Sequence, residues 1–188
     1  NQAGNTNYTA APQATQAFTV GQGSQTITFG TAPTVNVGTT GTVSATGGAS
    51  GNAVIFTSTT PAVCTVSGTT VTGVTVGTCT IAANQAGNAN YTAAPQVTQN
   101  ITVGQGSQTI TFTSAAPAAA VVGGATYTPA ATGGASGNAV VFSIAAGSST
   151  VCSISGGVVS FIGVGSCTVQ ANQAGNTNYT AAPQATQA

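Results

Sequence analysis

Not one Lys, Arg, Asp, Glu or His occurs among the 188 residues of the chain. A soluble domain is about 25% charged, so roughly 47 charged side chains are missing relative to average usage. Chance does not produce zero, and the exclusion removes whole classes of function. No ordinary general acid or base exists. A Ser or Thr nucleophile would have no base to activate it. Metal sites built on imidazole or carboxylate cannot form. A Walker-type loop lacks its Lys. Binding of nucleic acid by phosphate neutralisation is excluded, as is basic steering to acidic membranes. The chain therefore reads as a non-enzyme without cofactors. Its surface charge is expected to stay near zero over most of the pH scale.

Other absences narrow the class. Met and Trp are missing, and aromatics make up only 5% of residues. Hydrophobic content is 41%, with 26 Gly and 7 Pro, which is not a collagen-like balance. No apolar run approaches the ~20 residues of a membrane span. Asn1 is not followed by a basic segment and an apolar core of signal-peptide type, so a mature or internal fragment is expected, with any export signal outside it.

What is there repeats. NQAGNTNYTAAPQATQ starts at Asn1 and again at Asn172, and NQAGNANYTAAPQVTQ starts at Asn84. VGQGSQTITF begins at Val20 and Val103, and ATGGASGNAV at Ala45 and Ala131. The two units differ in length, 83 and 88 residues. Three of the five extra residues fall between Phe112 and Ala131 and two between Phe142 and Cys152, which marks those stretches as loops or strand ends. Residues 1–17 are identical to residues 172–188, so the chain closes on itself with a period of 171 residues. This suggests a window onto a longer tandem polymer. The organisation expected is residues 1–21 as the last strand of a preceding repeat, a repeat at 22–104, and a repeat at 105–188 lacking its last strand.

The local pattern is β. Thr, Val, Gly, Asn and Ser are weak or poor helix formers. Ile27 and Phe29, Val35 and Val37, and Val43 and Ala45 each fall two apart, as in half-buried strands. Cys79, Ile81 and Ala83 share one face of Thr78–Ala83, and Val97, Gln99, Ile101 and Val103 one face of Val97–Val103. Ala53–Thr57 is a more continuous apolar run and suits a strand covered on both faces. Cys64-Thr65-Val66 and Thr69–Val76 are joined by Ser67-Gly68, and Gly47–Asn52 and Gly133–Asn138 are turn clusters. Seven or eight short strands per ~85 residues read as a β-sandwich. Its core must be built from Val, Ile, Ala and one or two Phe, and so is thin.

The cysteines supply a staple. Cys64 and Cys79, and Cys152 and Cys167, are equally spaced pairs with no odd thiol. Each bridge would close a loop of about 16 residues, worth on the order of 3 kcal/mol. Nothing nearby would lower a thiol pKa, and no His completes a zinc set. Disulfides in an oxidising, extracellular compartment are the expectation.

SQTITF, then TPAVCTVSGTTVTGVTVGTCTIAANQAGNANY, then TAAPQVTQNITV resembles the bacterial immunoglobulin-like repeats strung along very large secreted and surface proteins. The resemblance implies Ig-like sandwiches in tandem, serving as stalk, fibre or adhesin body at a bacterial surface, with no catalytic residues to carry over. The complete lack of charge departs from that family. Without Lys, an isopeptide cross-link to Asn is excluded.

Lesser features have plainer readings. Gly21-Gln22-Gly23 and Gly104-Gln105-Gly106 lack the third Gly and the following helix of a dinucleotide fingerprint, and read as interdomain hinges. Asn7, Asn90, Asn178 and Asn100 stand in N-x-[ST] tripeptides, which are common in Asn/Thr-rich chains. Tyr91 is expected to be a packed ring with a satisfied hydroxyl rather than a sugar platform. Thr-x-Thr runs such as Thr26-Ile27-Thr28 and Thr78-Cys79-Thr80 are ordinary strand threonines.

Sheet edges here lack the usual guard of Lys or inward charges, and Pro33, Pro61 and Pro95 protect only in part. With no net charge to hold copies apart, self-association is expected, both head-to-tail and lateral. Residues 18–20 end a strand whose domain lies before Asn1, and the second repeat stops short of its own Phe-Thr-Val. Covalent continuation, or strand addition from another copy, would complete it. The reading is a segment of an extracellular fibre, filament or sheath. A spacer in a giant adhesin is the alternative, followed by a carbohydrate-binding module.

Overall fold

The computed structural model describes every residue, Asn1–Ala188. It holds sixteen short strands, one 3-10 turn and no α-helix. None of its elements is a helix long and apolar enough to cross a membrane. In the first repeat the strands are β1 (Thr28–Phe29), β2 (Val35–Asn36), β3 (Thr40–Thr42), β4 (Ala45–Thr46), β5 (Val54–Ser58), β6 (Cys64–Ser67), β7 (Thr70–Gly73), β8 (Gly77–Gln85) and β9 (Val97–Gly104). In the second they are β10 (Thr111–Phe112), β11 (Ala131–Thr132), β12 (Val140–Ile144), β13 (Cys152–Ser155), β14 (Val158–Phe161), β15 (Val169–Gln173) and β16 (Ala185–Gln187).

Alternation of apolar and polar residues decides which sheet faces meet. One sheet of the first repeat runs β2-β9-β8-β5, with β2 parallel to β9 and the rest antiparallel. Opposite it lie β3-β7-β6 and the β1-β4 pair. Val43 and Ser44 separate β3 from β4 in what is otherwise one run. Val43, Cys64 and Val71 from this side and Val35, Cys79, Ile81, Ile101 and Val103 from the other form a single buried cluster with Val37. The arrangement fits a β-sandwich whose core is almost wholly aliphatic. Phe29 and Phe56 close one side of it, their rings 5.8 Å apart.

The Cys64–Cys79 bridge joins β6 of one sheet to β8 of the other, with Cα atoms 5.6 Å apart. It crosses the core and ties the two layers together. Cys152–Cys167 repeats it at 5.8 Å. Two disulfides fit an oxidising compartment.

Turn chemistry sets the β6–β7 and β13–β14 hairpins. Gly68 (φ 57°) is the first of two turn residues between Ser67 and Thr70, where a positive φ suits a twisted two-residue loop. In the second repeat both turn residues are glycine with positive φ, Gly156 at 59° and Gly157 at 82°.

Two expectations are corrected. Ala53–Thr57 is not covered on both faces. Its core, β5, is an edge strand that alternates in burial, and Ile55 is 59% exposed. The Gly-Gln-Gly segments are not free hinges. Gly106 pairs with Tyr179 as a parallel bridge, its N–H donates to Asn178 O at 2.9 Å, and Gln105 Nε2 donates to Asn176 O at 2.9 Å. Gly23 and Gln22 repeat these contacts on Tyr91, Asn90 and Asn88.

Candidate functional site

The two repeats share a sequence, yet the second lacks a strand segment that the first possesses. In the first, β9 pairs with β8 from Ala83↔Val97 to Gly77↔Val103. Its last residues also pair with β2, Val103 opposite Val35 and Gly104 opposite Asn36. Ile101 and Val103 are thereby buried in the core. In the second, β16 pairs with β15 only from Ala171↔Ala185 to Val169↔Gln187. Beyond that, Gly165–Thr168, the counterparts of Gly77–Thr80, have no strand beside them.

The other wall of the gap is also unpaired. Gly38 N–H donates to Gly73 O at 3.0 Å, and Gly123 N–H to Phe161 O at 2.9 Å, so Gly123 is the counterpart of Gly38. Ala120, Val121 and Val122 therefore stand where Val35, Asn36 and Val37 do. Val37 is 5% exposed, whereas Val122 is 52% exposed. Between these walls lies a cavity of about 500 Å³, floored by Tyr127, Phe161 and Val169 and rimmed by Val121, Val122 and Val164.

Three sequence differences shape this groove. Tyr127 pairs with Val159 where Gly41 pairs with Val71, and Phe161 replaces Gly73. In the first repeat a Cβ on Gly41 would come within 2.8 Å of Pro33 and Val35, and one on Gly73 within 2.5 Å of Asn36 O and 2.9 Å of Val103. The smallest residue lets β2 and β9 close on the core. Two aromatic rings in those places, together with the longer 113–130 segment, leave the β2 counterpart outside. The Tyr127 hydroxyl donates to Gln187 Oε1 and so pins the end of β16.

The core of the second repeat is smaller. Four buried residues, Cys152, Val159, Phe161 and Val169, form the second cluster, against nine in the first.

At the opposite end of the molecule, residues 1–20 form no strand and lie exposed. Asn5 Oδ1 accepts from Asn7 and Tyr8 N–H, the same turn that Asn88 and Asn176 make. Phe18 and Val20, counterparts of the buried Ile101 and Val103, are 84% and 82% exposed.

The repeat–repeat junction is specific. The Tyr179 ring packs against the first repeat's core cluster and approaches Gly38, and Val76 N–H donates to Asn178 Oδ1 at 3.1 Å. Tyr91, the counterpart of Tyr179, lies against Gly23, but its hydroxyl makes no hydrogen bond within the chain, contrary to expectation. Asn7, Asn90 and Asn100 are exposed, while Asn178 is half-buried in the junction. Thr80 donates to Asn100 Oδ1 across the outer face of β8 and β9.

The motif reading missed four buried glutamines, Gln25, Gln85, Gln108 and Gln173. Gln85 Oε1 accepts from Gly48 N–H at 2.7 Å and its Nε2 donates to Asn52 O at 2.7 Å. Gln25 accepts from Ser50 N–H and donates to Ala86 O and Thr92 O. Gln108 and Gln173 repeat the arrangement. Their recurrence beside the Gly-Gly turns was the available signal.

No protein-family model matches the chain, and no curated protein does either.

Proposed function

We propose that the chain is a structural tandem-repeat segment of an extracellular fibre, filament or sheath, built of Ig-like sandwiches and performing no catalysis. The first repeat supports the fold assignment. Taking β3 and β4 as one strand, its sheets contain the A-B-E-D and A′-G-F-C neighbours of an Ig-like domain. The function rests chiefly on one observation: successive repeats meet through a specific junction, in which Val76 N–H donates to Asn178 Oδ1 and the Tyr179 ring packs against the first repeat's core. Such a head-to-tail contact between unlike surfaces favours open, linear succession of repeats rather than a closed dimer. A surface without charge adds nothing to keep neighbours apart.

Sedimentation and electron microscopy of the 188-residue chain test this reading. Thin linear assemblies are expected, equally abundant from low to molar salt, because no ion pair is available to be screened. A chain that stays monomeric at high concentration would be a spacer instead. Assembly that dissolves in salt, or turnover of a small molecule, would also overturn the proposal.

A further inference from the structure

We infer that the free edge of β5 is a strand-pairing site for β5 of a second copy, so that two chains join sideways through one continuous sheet. The inference goes beyond the proposed fibre. It concerns lateral contact and stands whether or not repeats succeed one another in line.

β5 lies at the end of the β2-β9-β8-β5 sheet and pairs with β8 alone. With five residues it is the longest edge strand of the first repeat. After it the chain crosses to β6 in the opposite layer, and no other strand pairs on its outer side. Thr59 N–H donates to Thr80 O at 2.9 Å. Backbone bonding alternates along an antiparallel ladder, so Ile55 and Thr57 also bond to β8. The N–H and C=O groups of Val54, Phe56 and Ser58 therefore face the open edge.

Nothing guards that edge. Charged side chains, proline and bulges are the usual devices. The chain has no charge, and no proline lies between Ala53 and Thr60. The register runs one to one from Val54↔Gln85 to Ser58↔Ile81, without a bulge. On the outer face stands Ile55, 59% exposed. The second repeat keeps the device although its other edge differs. β12 also has five residues and is also the end strand of its sheet. Ala145 N–H donates to Thr168 O at 2.9 Å, which gives the same alternation. Val141, the counterpart of Ile55, is 62% exposed.

The occupant must bring unpaired backbone and no charge in need of a counter-ion. β5 itself meets both conditions. Antiparallel pairing centred on Phe56 is self-complementary. Phe56 would exchange both backbone bonds with Phe56 of the second copy, while Val54 faces that copy's Ser58 and Ser58 its Val54. Between these pairs Ile55 would stand opposite Thr57 of the second copy, at the non-hydrogen-bonded position where side chains approach most closely. The exposed Ile55 side chain would then lie on a threonine methyl instead of in water. The contact is two-fold, so each interaction occurs twice from one patch. The ladder is short, and pairing belongs to high protein concentration.

The test has two arms, both on the 188-residue chain. In the first, chains carrying Ile55→Cys and Thr57→Cys are mixed at high concentration under mild oxidation. The Cα atoms of such a pair would stand about 4.5 Å apart, within reach of a disulfide. A 55–57 cross-link between chains is expected. It should be lost when Ile55→Cys is mixed with Thr98→Cys, since Thr98 lies on β9, beyond β8. Absence of the 55–57 product, or equal yields from both mixtures, would overturn the inference. In the second arm, amide hydrogen exchange is followed as concentration rises. Exchange at Phe56 should slow in the parent chain and in Thr98→Lys, but not in Ile55→Lys, which carries the same added charge. Exchange at Phe56 that is independent of concentration, or equal behaviour of the two lysine variants, would also overturn it. Ile55, Thr57 and Thr98 are exposed, so these variants leave the core undisturbed. Linear assemblies that form without the 55–57 product would remove the edge pairing and leave the fibre reading standing. Paired chains that never lengthen would do the reverse.

Discussion

Single residues in this chain do the work that charge does elsewhere. Four buried glutamines hold the turns of both repeats through hydrogen bonds to backbone, and each is satisfied at both ends of its amide. An apolar substitute would leave buried backbone groups without partners. Gln85→Leu is expected to destabilise the first repeat by about 1–3 kcal/mol, read as a lowered midpoint in thermal unfolding, with the second repeat unchanged. The disulfides act at the same scale. Replacing Cys64 and Cys79 by Ala removes the link between sheets and should cost about 3 kcal/mol, measured by denaturant unfolding. The cysteine pairs were legible because spacing and composition leave them few alternatives. The glutamines were not, because an isolated Gln has the same composition signal in a loop as in a core.

At the level of strands and sheets, the repeats diverge more than their sequences suggest. Alternation located β8 and β9 well, since Ile81, Ile101 and Val103 all face the core. It misjudged β5, where an apolar run lies at an edge because no further strand pairs beyond it. It could not foresee the aromatic floor of the groove either. That depends on Tyr127 and Phe161 occupying places where Gly41 and Gly73 let strands close. The consequence is unequal stability. With its strand end absent and a cluster of four buried residues, the second repeat should unfold first, giving two calorimetric transitions. Hydrogen exchange should show β14 and β15 opening before β7 and β8.

For the whole molecule, the absence of Asp, Glu, His, Lys and Arg has a thermodynamic consequence. Stability depends on pH only through protons bound differently by folded and unfolded chains. With no side chain titrating across the mildly acidic to neutral range, the unfolding midpoint should be flat from about pH 5 to 8. Circular dichroism at several pH values checks this, and a midpoint shifting by several degrees would contradict it. Fibres made of such units would hold together equally in fresh water and brine.

Composition and repetition by themselves determined that the chain is all-β, stapled by two cysteine pairs and without acidic or basic side chains, because these follow from residue types and their spacing. The shape of the second repeat's open edge was decided only in three dimensions. Its lining is a relation between Gly165–Thr168, Ala120–Val122 and two aromatic rings far apart in the chain, and only packing brings them to one edge.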